Sequence, residues 1–337
     1  MTKPADYWRA SMRILTALLL AAAPLLAGGI LVPTGKNLGE FKVLLDLKKV
    51  DRSSPEALAR TWADLQVEEK KVADQFSDHF QKAHLSILER YYSSEIRKEQ
   101  ERLYGLEAVT VNMLRCQFVA VETDEKGSTR AFVRRSWTDA LGRPRSDQAI
   151  LALRKAANGQ WYVSRVAFKA PDGAVTENPR EVPPPTSAIK VPKNFPDFPD
   201  TPDGVFKRLM LEFRKLRFER RNAQNELNRH VFALVAALYG PEVAAEEKKN
   251  QTKAKPRQEF FFRAKDSVAT EGGVSLVEIM ALDKSPDEAK PIAVGHATFE
   301  MKQDEAGRWR VISEAVAEKA DEPPVPVTKK FGIFLMG

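Results

Sequence analysis

Residues 56–104 contain neither Gly nor Pro, and along them Leu58, Trp62, Leu65, Val72, Phe76, Phe80, His84 and Leu88 recur at spacings of three, four or seven. That period gathers them into one helical stripe flanked by Glu, Lys and Asp. Val205, Leu209, Phe213, Leu216, Ala223, Leu227 and Val231 form a second stripe of the same kind. The run of four-residue steps from Val72 to Leu88 drifts off a strict heptad, so both stripes read as core faces rather than coiled-coil seams. Each stripe opens on a hydroxyl, a proline and an acid, Ser54-Pro55-Glu56 and Thr201-Pro202-Asp203, the signature of a capped helix start. Ser93-Ser94 and Gly240-Pro241 then break the pattern. A long helix ending near Tyr92 or Tyr239 and a short one starting at Glu95 or Glu242 are therefore expected in each half.

Beyond the helices the period falls to two. Residues 108–122, 129–138, 148–156 and 161–169 read as strands, as do 258–270, 274–283, 291–302 and 308–317. The joints are short and turn-like, among them Glu125-Lys126-Gly127-Ser128 and Ala157-Asn158-Gly159. Consecutive strands joined by short turns form an antiparallel meander. Helices followed by a meander define an α+β unit, with the sheet wrapped over the helix stripe.

The order occurs twice, in register. Pro202 lies 147 residues beyond Pro55, and that shift sets Trp62 on Leu209, Leu85 on Phe232, Leu88 on Val235 and Tyr92 on Tyr239 without a gap. Trp309 lies 148 residues beyond Trp161. A fixed period over a whole unit points to a duplicated domain. The expected organisation is an export segment at 1–32, a first repeat at 51–170, a proline-rich linker at 171–200, a second repeat at 201–318 and a tail at 319–337. Each repeat is expected to set a long and a short helix on a four-stranded antiparallel sheet.

The helix start, the short second helix, the meander and a last strand written Gly159-Gln160-Trp161-Tyr162-Val163 or Gly307-Arg308-Trp309-Arg310-Val311 resemble the nuclear transport factor 2-like superfamily. That superfamily has the cone-shaped α+β fold shared with ketosteroid isomerase and SnoaL-like proteins. The resemblance covers about 235 residues across both copies. Neither copy carries the Gly-Asp turn with which the family usually breaks its first helix, so that helix is expected to run on beyond its sheet. For an enzyme, the resemblance implies an acid-base site on the concave face of the sheet, pairing a carboxylate base with a phenol or neutral acid.

Lys3, Arg9 and Arg13 precede an uncharged run at 14–32 rich in Leu and Ala, which reads as an export signal. Pro24 and Gly28-Gly29 interrupt the run, favouring a cleaved signal peptide over a retained inner-membrane anchor. The single cysteine, Cys116, excludes an intramolecular disulfide and reads as a small buried hydrophobe. Export without disulfides suits the bacterial cell envelope, periplasmic or membrane-anchored. A net charge of +7 is mild for 337 residues. Export sets nucleic acid aside as a partner. The cluster holding Arg214, Lys215, Arg217 and Arg221 then reads as a solvated helix face or a surface for an anionic envelope component. Residues 329–337, basic and then apolar, read as a frayed end or a segment that docks on a partner or membrane.

Motifs that carry chemistry are few. The four histidines include no i, i+4 chelating pair, and no zinc, serine-hydrolase or phosphate-loop motif is present, so no metal or cofactor is expected. His84 stands where its mate is Val231 and reads as a core histidine. Glu278 and His296, on neighbouring strands, are the weak catalytic candidates, and Arg134, Arg135 and Trp137 are candidates for an anion-binding cleft. The leading expectation is a non-enzymatic binding or assembly protein of the envelope. The alternatives are an isomerase or cyclase acting on a small apolar substrate, and a helical scaffold marked by one continuous helix past Ser94.

Overall fold

The computed structural model describes residues 50–109, 114–138, 142–177, 196–251, 261–283 and 292–336. The export segment at 1–32, residues 178–195 of the linker, and the expected strand starts at 258–260 and 291 lie outside these. Among the described residues no helix is long and apolar enough to cross a membrane.

Helix α1, Pro55–Tyr91, is unbroken over 37 residues, about 55 Å of rise. The Ser54 hydroxyl accepts from the Ala57 amide at 3.1 Å, as the capping pattern requires. The chain turns extended at Tyr92 and restarts as α2, Ser94–Val109. The break removes the mark of the scaffold alternative, and α2 takes up Ala108 and Val109, which the alternation assigned to a strand. Helix α3, Pro202–Tyr239, and helix α4, Pro241–Gln251, repeat the arrangement, with the Thr201 hydroxyl accepting from the Gly204 amide at 3.2 Å.

The molecule is mixed helix and antiparallel sheet, as the α+β reading requires. Strands β1 (Arg115–Thr123), β2 (Thr129–Thr138), β3 (Pro144–Lys155), β4 (Trp161–Lys169) and β5 (Val175–Glu177) lie side by side in chain order. The second sheet runs β11 (Val325–Pro326), β10 (Trp309–Ala317), β9 (Ala293–Gln303), β8 (Val274–Leu282), with β6 (Phe261–Ala264) and β7 (Val268–Ala269) sharing the edge beside β8. Each sheet exceeds the expected four strands because the first residues of the linker and of the tail fold back as edge strands, β5 and β11. The last long strands bulge alike: Ser164 in β4 and Ile312 in β10, 148 residues apart, each stand unpaired within an otherwise continuous ladder. The hairpins before them also match, since Gly159 and Gly307 both take positive φ at the turn.

The cores do not follow the sequence halves. One core joins Leu58, Trp62 and Leu65 of α1 to the first sheet and to Leu234, Val235 and Leu238 near the end of α3. The other joins Phe76, Phe80, Leu85 and Leu88 of α1 and Ile96 of α2 to Val205, Phe206, Leu209 and Phe213 of α3 and to the second sheet. Each long helix therefore begins on its own sheet and ends on the other. Length is the reason: a helix of about 55 Å outruns a sheet whose strands are about 30 Å long, so each stripe is covered by its own sheet at one end and by the other sheet at the far end. Trp161 and Trp309 are half-buried, each against the core of its own sheet.

Polar contacts fix the crossings. The Ser93 amide donates to the Val311 carbonyl at 2.8 Å, joining the end of α1 to β10. Arg310 donates to the Glu89 carbonyl at 3.1 Å and to that of Arg90, covering carbonyls left open at the helix end. At the end of α3, Arg52 donates to the Ala237 carbonyl at 3.3 Å and Arg154 to that of Tyr239 at 3.5 Å. In both places a cation from one half meets the negative end of the other half's helix.

Candidate functional site

Four polar side chains buried among apolar neighbours converge under the second sheet: His84 from α1, Tyr92 just after it, Gln100 from α2 and Glu314 from β10. Gln100 is fully buried, and His84 and Glu314 are each 2% exposed. Such burial is costly without hydrogen-bond partners, and here the partners come from the segment after β11. The Phe331 amide donates to Gln100 Oε1 at 3.1 Å, His84 Nε2 meets the Phe331 carbonyl at 2.8 Å, and the Gly332 amide donates to Glu314 Oε2 at 2.8 Å. Three side chains on three elements thus hold the main chain of two consecutive residues.

The bonding fixes the proton positions. A carbonyl only accepts, so His84 Nε2 carries the hydrogen, and Nδ1 accepts from the Tyr104 hydroxyl. Burial pushes the His84 imidazolium down to about 4, so the ring is neutral at physiological pH. Burial pushes Glu314 up to about 7, against the Gly332 amide and the Tyr92 hydroxyl, which favour the carboxylate. Tyr92, whose hydroxyl donates to Glu314 at 3.3 Å, is itself raised well above its ordinary value by burial. Gln100 Nε2 has no partner among the described residues.

Apolar contacts complete the seat. Phe331 and Leu335 are buried, Phe334 stacks on Phe262 with ring centroids 5.5 Å apart, and Phe213 lies under Gly332. Gly332 has φ of +72°, and a Cβ there would overlap the Phe213 ring. The seat requires glycine. The tail, expected to fray or to dock elsewhere, is instead ordered on its own second sheet, because its apolar residues meet a cleft that also satisfies its backbone. Helix α5, Ile333–Met336, ends the described chain there.

The residues singled out from sequence lie elsewhere. Met280 pairs with His296 and Glu278 with Thr298, so Glu278 and His296 share one face, a diagonal step apart. It is the face turned from the core, since the alternate residues Ile279, Ala281, Ala297 and Phe299 are the buried ones. Glu278 is held there by Lys265 at 2.5 Å. Arg134 is exposed on the opposite side of β2 from Arg135 and Trp137. Arg135 binds Asp147 through two nitrogens, at 2.7 and 2.5 Å, and stacks on Phe168 at 3.8 Å, with the Trp137 ring 5.7 Å away. On α3, Arg214 and Arg217 flank the Phe218 ring at 5.3 and 5.4 Å, Lys215 pairs with Glu219 at 3.9 Å, and Arg221 is half-buried. Burial raises the Cys116 thiol to about 11, which leaves it a poor nucleophile. Among the described residues no cluster of His, Cys, Asp or Glu could hold a metal ion.

One signal for the buried cluster was present in the sequence. His84 stands against Val231, and Glu314 stands against Val166, 148 positions earlier. Val166 lies in the core of the first sheet and Val231 packs against it. His84 and Glu314, each set against a valine by the shift, meet at a single place. No protein-family model matches the chain, and neither does any curated protein or solved structure.

Proposed function

We propose that this chain is a non-enzymatic binding and assembly protein of the bacterial cell envelope, built from two nuclear transport factor 2-like repeats, and that the cleft of its second sheet is a docking groove for a short peptide segment that enters as a turn and ends as a helical turn. The repeat reading is supported by the register of the sequence copies and by the equivalent bulges at Ser164 and Ile312. The basic and then apolar stretch at the N-terminus supports export. The observation that carries the binding reading is the grip of His84, Gln100 and Glu314 on the main chain of Phe331 and Gly332. Main-chain hydrogen bonds that fix one register, with flanking pockets for side chains, are how a peptide segment is read, and the segment seated here is a turn at Phe331-Gly332 running into α5.

The test is a fluorescein-labelled synthetic peptide of residues 327–336 added to full-length Gly332→Ala chain, in which rapid trypsin cleavage after Lys330 reports that its own segment has lifted. Saturable binding that is lost when Glu314→Leu is added supports the groove. No binding by a chain that is otherwise folded rejects it.

One observation favours the enzyme alternative. Tyr92 and Glu314 pair a phenol with a carboxyl group poised near neutrality, the combination an isomerase of this fold would use. Turnover of a small carbonyl substrate by the unseated chain, abolished by Glu314→Gln, would establish that reading instead.

A further inference from the structure

We infer that the groove under the second sheet takes residues 327–336 from a second copy of this chain, so that two copies join by exchanging the segment. The inference rests on the groove being a peptide site and adds its occupant.

The seat is selective in a way that points to this chain. It needs a main chain whose amide, carbonyl and next amide fall on Gln100, His84 and Glu314, and a glycine at the second position above Phe213. It also needs buried apolar side chains before and after that glycine, supplied here by Phe331 and Leu335. Every copy carries a segment that meets these demands, Lys329-Lys330-Phe331-Gly332-Ile333-Phe334-Leu335. The contacts of the seat are the same whichever copy supplies it.

The arm leading to the seat is built to reach. Residues 318–330 are exposed apart from Pro324 and Val327, which are half-buried. They touch the second sheet through two short pairs, Ala315 with Pro326 and Val316 with Val325, and through the Val327 amide on the Glu314 carbonyl at 2.8 Å. Pro323, Pro324 and Pro326 bar a helix and stiffen the arm, which at about 3 Å per residue spans about 40 Å when extended. Moving the arm to a neighbour gives up little that the neighbour does not return. The remaining cost is that of association, which concentration offsets. The long helices already cross between the halves in the same spirit, each finishing a core begun by the other.

The experiment uses full-length chains in which Cys116→Ala removes the native thiol. One chain carries Phe262→Cys on β6 and the other Phe334→Cys in the segment, two positions whose rings lie against each other with centroids 5.5 Å apart. The two are mixed at high concentration and oxidised gently. A disulfide-linked heterodimer whose yield rises with concentration is expected. A matched mixture of Phe334→Cys with Ser164→Cys, on the exposed bulge of the first sheet, should give none. Light scattering on the unmodified chain should show a mass rising towards two copies with concentration, and Gly332→Ala should hold it at one. Exchange is overturned if the mixed chains give no more dimer than the Ser164→Cys control, while the two cysteines placed in one chain close within it. Peptide binding to Gly332→Ala together with that negative result would leave the groove standing and reject only the second copy as its occupant. Failure of peptide binding would reject the groove itself.

Discussion

The Tyr92 hydroxyl donates to the Glu314 carboxylate across 222 residues of sequence, from the end of the first long helix to the last long strand of the second sheet. Neither group has a reason to be buried in its own half. Both are buried because α1 outruns its sheet and delivers its last turns, His84 included, to the other core. The cluster exists only where the two halves interlock, which ties its chemistry to the architecture.

The two shifted groups of the cluster oppose each other in pH. Glu314 is raised from 4.5 to about 7 on folding, so its contribution is fully present below pH 4.5 and is lost as pH rises to about 7. His84 is lowered from 6.5 to about 4, so its contribution is fully present above pH 6.5 and is lost as pH falls to about 4. Each shift is worth on the order of 3 kcal/mol. Between pH 4 and 7 the two slopes therefore nearly cancel in the native protein. Glu314→Gln should unmask a stability that climbs with pH over this window, and His84→Gln one that declines. Urea unfolding at half-unit pH steps, taken as a difference from the native protein so that common groups drop out, reads both signs. Parallel curves for all three chains would show that neither group is shifted.

Interlocked helices move the effect of a core mutation to the other half. Leu88 is fully buried in the core of the second sheet although it belongs to the first half of the chain, and Leu238, from the second half, is fully buried in the core of the first sheet. Leu88→Ala should cost about 3 kcal/mol and speed amide exchange chiefly over residues 274–303. Leu238→Ala should do so over residues 129–155. Exchange quickening in the mutated residue's own half of the chain would mean that the helices do not cross. By the same logic, fragments 50–177 and 196–336 should fold when co-expressed and aggregate when alone.

Local rules made much of the fold legible. Ser54-Pro55-Glu56 and Thr201-Pro202-Asp203 mark helix starts because capping is a matter of neighbouring residues, and the alternation along residues 129–138 and 274–282 marks strands for the same reason. The absence of a Gly-Asp turn even forecast a helix that runs past its sheet. What the overhang would land on was hidden, since that is a contact between residues more than a hundred positions apart. The site was missed for a related reason. Glu278 and His296 looked promising as polar residues within apolar strands, but alternation sends them to the outer face. Glu314 sits in an equally apolar strand at a position that points inward. The useful clue was the mismatch between positions matched by the sequence shift, Glu314 against Val166 and His84 against Val231, because a polar residue at a core position is tolerated only where something comes to meet it.

Arg310 tests the crossing from its polar side. Its guanidinium covers the Glu89 and Arg90 carbonyls at the end of α1 while its Nε donates to Asp304 at 3.0 Å, and bonds from the Arg308 amide and from Arg310 hold Asp304 well below the usual carboxylate range. Arg310→Met keeps the aliphatic stem and removes the cap. A loss of about 1–2 kcal/mol is expected, with the last turn of α1 exchanging faster. Arg310→Lys should recover only part, since an ammonium cannot span two carbonyls and a carboxylate in a fixed fork. Full recovery by lysine would reduce the role to charge alone.

The glycine at 332 is the most exacting position of the seat. Alanine there strains a backbone held at φ of +72° and pushes a methyl group into the Phe213 ring. The two effects together should cost about 2–3 kcal/mol of local stability. The segment is terminal and adds Phe331 and Leu335 to a core whose other members come from the helices and the sheet, so the loss should appear as unseating rather than global unfolding. Lys329 and Lys330 stand exposed immediately before the buried Phe331, which makes trypsin a direct reporter. In the native chain cleavage after Lys330 requires the anchor to lift, and its rate follows the population of the lifted state. Gly332→Ala should raise that rate by about thirtyfold or more, since 2 kcal/mol is a factor of about 30 in that population. Ile333→Ala, at a residue facing solvent, should leave it unchanged. Equal cleavage of all three chains would show that the segment is not held by the contacts described at Phe331 and Gly332.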